Sequence, residues 1–151
     1  KRHGIQQLLD AASAQAAPGA EAKAITLTVE PTDLTARFDP KWTAEALYNL
    51  VDNAVKYTPA GGAVTLRAVG YELFCRVDVT DTGPGIPESE QARIFQRFYR
   101  SPSASEAEGV GIGLYLARQI AAGQGGYLKV SSRPGEGSTF SLFLPRAEER
   151  T

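Results

Sequence analysis

Methionine is missing altogether from the 151 residues, and cysteine, histidine and tryptophan occur once each. A single cysteine excludes an internal disulfide and a cysteine metal cluster. Cys75 alternates with Leu73, Val77 and Val79, so a buried strand position is expected for it rather than a reactive thiol. His3 lies beside Lys1 and Arg2 in what reads as a frayed terminus, a poor setting for catalysis. With no methionine at position 1, the chain is expected to be a piece of a longer protein. No apolar run approaches the ~20 residues needed to span a bilayer, and these residues are expected to include no signal peptide. Excess charge is lacking too: 16 Lys and Arg against 17 Asp and Glu leave a net charge of -1, which argues against a broad nucleic-acid or membrane surface. Any anion site must be local.

What is present suits one globular domain. Hydrophobic residues make up 42% and charged residues 22%. Residues 4–16 carry Ile5, Leu8, Leu9 and Ala12 at helical spacing, and Pro18-Gly19 is expected to stop that helix. Ile25, Leu27 and Val29 alternate with threonines before Pro31, and 35–38 reads as a second strand, together a plausible hairpin. Over 41–57 the apolar residues Leu47, Leu50, Val51, Ala54 and Val55 share one face at 100° per residue. Strands are predicted from Val64 to about Gly70 and over 73–80. A helix is predicted to start at Pro87 and Glu88 and to continue over 90–98, with Ile94, Phe95 and Phe98 apolar. Residues 101–108 are small, polar and proline-containing, and read as a mobile loop. Residues 113–124 form a helix with Leu116, Ala117 and Ile120 inward; strands over 127–131 and 139–144 are joined by the turn Pro134-Gly135-Glu136-Gly137. This order fits an α+β, two-layer sandwich with a mixed, mostly antiparallel sheet against three helices.

Two glycine-rich runs flank the helix at 90–98. Asp81-Thr82-Gly83-Pro84-Gly85-Ile86-Pro87 leaves a strand, and Gly109-Val110-Gly111-Ile112-Gly113-Leu114 enters a helix. Glycine lets backbone amides approach a ligand, and free N–H groups at a helix start attract phosphate. Neither the Rossmann nor the P-loop glycine pattern is present.

The polar stripe of the 41–57 helix holds Glu45, Asn49, Asp52, Asn53 and Lys56. Asparagine is a poor helix-interior residue, yet two stand one turn apart. An amide oxygen suits Mg²⁺ and a lysine can neutralise a phosphate oxygen; a merely solvated face is the alternative. Asp81 is either a turn-forming Asx residue or a carboxylate that accepts from an exocyclic amine such as that of adenine.

Together these segments resemble the ATP-binding catalytic domain of sensor histidine kinases, a branch of the Bergerat-fold ATPases, over about residues 20–146. The stretch 47–58 resembles the asparagine box of that family, 81–87 its first glycine box, 94–100 its phenylalanine box, 109–114 its second glycine box and 135–140 its last.

The resemblance implies ATP and Mg²⁺ as cofactors, with Asn53 on the metal, Asn49 on the metal or phosphates and Lys56 on a phosphate oxygen. Tyr57 would lie near the ribose and base. Asp81 would accept from adenine N6, with Gly85 and Thr139 completing that end. Gly83, Ile86, Phe98, Tyr99, Gly109, Gly111, Ile112, Gly113 and Leu114 would line the rest, and the amides at 111–114 would receive phosphates. Arg100 would close on the γ-phosphate, and 101–110 would form the ATP lid.

The residues also depart from the family pattern. Val110 stands where many members have a polar residue, and 101–110 contain no Lys or Arg, so closure would rest on Arg100 and backbone amides. Glutamate, the water-activating base of hydrolysing relatives, is replaced by Asn49, so ATP hydrolysis is expected to be slow.

The implied organisation has three parts: residues 1–17 as the end of a preceding dimerisation and phosphoacceptor helix, 18–147 as the catalytic domain and 148–151 as a tail. The implied partners are that histidine-bearing domain and a response regulator, with no nucleic acid and no direct membrane contact. The fragment is expected to be a monomer and a cytoplasmic part of a membrane-anchored bacterial sensor kinase. Three readings compete: an ATP-driven clamp of the gyrase, chaperone or mismatch-repair kind, a nucleotide-binding regulatory module with weak or no kinase activity, and an anti-sigma-type serine kinase.

Overall fold

A computed structural model describes residues 2–96 and 113–146. Five strands form the main sheet in the order β2-β4-β5-β7-β6: β2 (Thr26–Val29), β4 (Ala63–Gly70), β5 (Phe74–Asp81), β7 (Gly137–Pro145) and β6 (Tyr127–Arg133). Only β2 and β4 run parallel; the other neighbours are antiparallel. The helices that pack on this sheet are α1 (Ile5–Ala22), α2 (Pro40–Tyr57) and α4 (Gly113–Gly123), so the two-layer α+β expectation holds.

Strand alternation explains the layering. Val64, Leu66, Cys75, Val77, Val79, Phe140, Leu142 and Leu144 are fully or almost fully buried, while their sequence neighbours face the other way. Cys75 lies within this core, and burial pushes its thiol up to about 11, with Arg146 opposing that rise.

The first helix does not stop at Pro18. It continues through Ala22, carrying Ile5, Leu8, Leu9, Ala12, Ala16 and Ala20 into the core. Each large apolar side chain buried this way contributes roughly 1.5–3 kcal/mol, enough collectively to offset the ~3 kcal/mol that an interior proline costs. Pro18 is also exposed, as is Ala14, the residue whose carbonyl loses its helical N–H to the proline.

The helix ends in a Schellman motif, with Ile25 N donating to Ala20 O at 2.8 Å and Ala24 N to Glu21 O at 3.1 Å. Ala24 occupies the left-handed position at φ 60°. Ala24→Gly removes that strain and should stabilise the fold by about 0.5–1 kcal/mol, read as a raised urea midpoint at unchanged m.

Three other expectations are corrected. Residues 25–38 do not form a hairpin: β2 pairs in parallel with β4, and β3 (Thr35–Arg37) pairs with β1 (Arg2–Gly4). The terminus is therefore not frayed, and His3 lies in β1, its ring centroid 5.4 Å from that of Phe38. The helix predicted from Pro87 and Glu88 onward does start at Glu88, but α3 (Glu88–Gln91) is a single turn and the chain up to residue 96 does not continue it, although Ile94 and Phe95 are buried; residues 97 and 98 lie outside the described residues.

Helix α2 begins as composition requires, with Pro40 in the first turn and Asp39 Oδ1 accepting from Trp42 N at 2.9 Å. Helix α4 lies along it, held at one end by Gln124, whose side chain accepts from Asp39 N and donates to Thr43 Oγ1 at 2.8 Å. The inward residues of α4 are Ala117 and Ala121; Ile120 is half-buried and Leu116 is 40% exposed, against expectation. Two small residues let α4 lie close to α2, which brings its first residue beside Asn49.

Candidate nucleotide site

Three segments converge at one edge of the helical layer: the polar stripe of α2, the loop after β5 and the start of α4. A Cβ added to Gly113 would sit 3.7 Å from both Cβ and Cγ of Asn49. The glycine therefore leaves open the space in front of that amide. Asn49 Nδ2 is buried and, among the described residues, has no hydrogen-bond partner. A buried amide hydrogen without an acceptor costs about 1–3 kcal/mol, so this atom marks a place where a ligand acceptor belongs.

Asn53 is half-buried one turn further along α2. Lys56 is exposed on the rim and its Nζ lies 3.1 Å from Asp52 Oδ2. Asp52 also stands by Tyr48, whose hydroxyl pKa is raised by burial first and by the charge of Asp52 second. Among the described residues, no cluster of three His, Cys, Asp or Glu could hold a metal ion. The donors here are amide oxygens, suited to a hard cation that keeps water or phosphate as its other ligands.

Asp81 ends β5 and is 7% exposed. Its Oδ1 accepts from Gly83 N at 2.8 Å and from Ser138 N at 3.3 Å. It is thus an Asx-turn residue whose two bonds land on the same oxygen, and among the described residues no hydrogen bond reaches Oδ2. Burial raises its pKa, and the two backbone donors partly oppose that rise.

The rest of the loop is fastened to the β6–β7 hairpin. Gly135 N donates to Pro84 O at 2.6 Å, Ile86 N to Ser132 Oγ at 2.7 Å, and Gln91 Nε2 to both Ile86 O and Ser132 O at 2.9 Å. Gly85 has φ 81°, and a side chain there would collide with Arg133 O. Gly83 faces the end of α2: a Cβ there would lie 3.1 Å from Tyr57 O and 3.4 Å from Thr58 Oγ1. Thr58 is fully buried and, among the described residues, its hydroxyl has no partner.

Asn49, Asn53, Lys56, Tyr57, Asp81, Gly83, Gly85, Ile86, Gly113 and Leu114 accordingly belong to the elements that meet here, Ile86 and Leu114 packing on the core. Thr139 does not join them. Its hydroxyl is 3.0 Å from that of Thr80, on the sheet face turned away from the helices. Ser138, one residue earlier, is the neighbour of Asp81. Phe98, Tyr99, Arg100, Gly109, Gly111 and Ile112, and the expected lid over 101–110, lie outside the described residues. Sequence reasoning missed Ser132, Ser138, Thr58 and Gln91; their signal is only small or polar side chains beside the glycine turns.

Comparison with known proteins supplies the family. Residues 38–148 match the family described as histidine kinase-, DNA gyrase B-, and HSP90-like ATPase. Over 131 residues the chain is 42% identical to the adaptive-response sensory kinase SasA of Synechococcus sp. (strain JA-3-3Ab), covering 85% of this chain and 35% of that protein. The chain spans about a third of the length of the SasA proteins it matches. The structure of the mycobacterial sensor histidine kinase MprB is similar at TM-score 0.86 and 28% identity, covering 98% of this chain and 100% of that one. Full-length ShkA in complex with AMPPNP is similar at TM-score 0.80 and 29% identity, covering 98% of this chain and 32% of ShkA.

Proposed function

This chain belongs to the family of histidine kinase-, DNA gyrase B-, and HSP90-like ATPases, and from that membership we propose that it is the ATP-binding catalytic domain of a protein-histidine kinase. It delivers the γ-phosphoryl group of ATP to a histidine on a dimerisation domain elsewhere in the parent protein, and a response regulator then receives the group. The carrying observation is the buried, unpartnered amide of Asn49 beside Gly113. It is a site prepared for an acceptor-rich ligand at a helix start, and it holds an amide where a hydrolysing enzyme needs a base.

The adenine end is Asp81, whose Oδ2 accepts from the exocyclic amine while Gly83 and Ser138 hold Oδ1. The phosphate end is the N-terminus of α4, where the positive end of the helix dipole favours anions. Asn49 and Asn53 would hold Mg²⁺ there; the ion supplies neutralisation of phosphate oxygens as charge shifts to the leaving ADP. Lys56 exchanges Asp52 for a phosphate oxygen, and Tyr57 lies toward the ribose and base.

Phosphoryl transfer requires little covalent work from the protein beyond alignment and charge stabilisation. Asn49 accepts no proton from water at neutral pH, so the γ-phosphate waits for the histidine. Among the described residues no helix is long and apolar enough to cross a membrane. The domain is read as the cytoplasmic part of a membrane-anchored bacterial sensor kinase.

The test mixes this chain with a separately made acceptor domain and γ-labelled ATP. Magnesium should give acid-labile, alkali-stable label on the acceptor histidine; a chelator should abolish it. Without the acceptor, hydrolysis should remain slow. Acid-stable label on serine would favour an anti-sigma-type kinase instead. Nucleotide binding without any transfer would reduce the domain to a regulatory module.

A further inference from the structure

The turn between α1 and β2 touches the nucleotide end of α2, and no role assigned above uses it. Lys23 is the C-terminal cap residue of α1, and its ammonium donates to Val55 O at 3.0 Å and to Lys56 O. These carbonyls lie in the last turn of α2, where no further helical N–H reaches them. The negative end of the helix dipole favours a cation at that point. Lys56, the other cation nearby, has its ammonium paired with Asp52.

The same turn is joined to the loop that follows α2. Gly61 N donates to Ala24 O at 2.9 Å, and Thr26 N donates to Gly62 O at 3.0 Å. Gly62 is packed so closely that a Cβ would collide with Thr58 Cγ2 and lie 2.7 Å from Thr82 Oγ1. Thr82 Oγ1 in turn accepts from Ala63 N at 2.9 Å. The end of α1, the end of α2, the start of β4 and the Asp81 loop thus form one connected ring.

We propose that Lys23 is a positioning residue for the nucleotide site: by holding the last-turn carbonyls of α2, it keeps Lys56, Tyr57 and Thr58 in register with Gly83 and Asp81. The inference rests on the nucleotide reading above. Lys23 touches no nucleotide itself; it acts through the backbone of residues 55 and 56. Its donors span the end of one helix and its backbone ends another, so loss of the ammonium frees the last turn of α2 while the apolar stripe of α1 remains buried.

The test compares the native chain with Lys23→Met, which keeps the aliphatic stem and drops the donors, and Lys23→Arg, which keeps donors of similar reach. Calorimetry with magnesium and AMPPNP, well below the unfolding midpoint of each variant, should show affinity about 5-fold weaker for Lys23→Met and near native for Lys23→Arg. Amide hydrogen exchange should quicken at residues 55–58 in Lys23→Met and nowhere else. Given the acceptor domain, KM for ATP should rise by a similar factor while kcat at saturation changes less than about 2-fold. Equal affinity of the native chain and Lys23→Met would overturn the proposal. So would a loss of affinity accompanied by faster exchange throughout the chain, because that reports general destabilisation. Absence of nucleotide binding by the native chain is a different result, and it would remove the nucleotide reading itself.

Discussion

Asp81→Asn should weaken adenine-nucleotide binding by about 100-fold while the domain stays folded and gains stability at neutral pH. The binding loss follows from amide orientation. Gly83 N and Ser138 N both donate to Oδ1, so an asparagine in that place must turn its carbonyl toward them. Its Nδ2 hydrogens then face the place proposed for the exocyclic amine of adenine, donor against donor. Removing a charge-assisted hydrogen bond and leaving an unsatisfied donor together cost about 3 kcal/mol, or roughly two orders of magnitude in affinity.

The stability gain follows from burial. The folded-state pKa of Asp81 lies above its unfolded value, chiefly through desolvation. A raised pKa means the folded state holds the proton more tightly. The stability it contributes is therefore full below the unfolded carboxyl range and is lost as pH rises through the folded pKa. At neutral pH the ionised group is a penalty, and the neutral amide avoids it. Calorimetric titration with AMPPNP and thermal melts should show opposite signs for the two effects. Native affinity should also fall as pH drops through the raised pKa, because the proton settles on Oδ2, the atom proposed to accept from adenine. Unchanged affinity in Asp81→Asn would separate this acid from nucleotide recognition.

Gly137→Ala should destabilise the fold by ~3 kcal/mol or more. Gly137 has φ 84°, where an alanine pays roughly 1–2 kcal/mol, and its Cβ would collide with Asp81 O. Backbone has no rotamer with which to yield, so the start of β7 must move away from the end of β5, adding about 1–3 kcal/mol of overpacking. At 2–4 °C per kcal/mol for a domain of this size, the unfolding midpoint should drop by about 10 °C. The displaced segment carries Ser138, so nucleotide binding should weaken even where the variant is folded. A shift below about 2 °C would show that the turn relaxes more easily than its geometry implies.

Local features were the legible ones. Helix α2 declared itself by the spacing of Leu47, Leu50, Val51, Ala54 and Val55, all buried, and the β6–β7 turn by Pro134-Gly135-Glu136-Gly137. What failed depends on distant partners. No property of residues 26–29 announces that their neighbour is β4, beyond a complete helix, rather than β3. Pro18 breaks a helix considered alone but not one whose opposite face is buried. Thr139 is expected at the adenine end, yet Ser138 is the neighbour of Asp81; with a side-chain period of two, a shift of one residue moves a hydroxyl to the other face of the sheet. Lys23 escaped notice because its partners are carbonyls, and carbonyls leave no trace in a side-chain pattern.

The position of Cys75 has a practical consequence. The sole sulfur atom of the chain lies fully enclosed beneath the helices, and its proton is held well above the range in which maleimides react. A spin label or fluorophore can therefore be attached through a cysteine introduced at any chosen surface position, with the native residue left in place. Distances between such a reporter and a bound nucleotide could then be followed during turnover without first building a cysteine-free background.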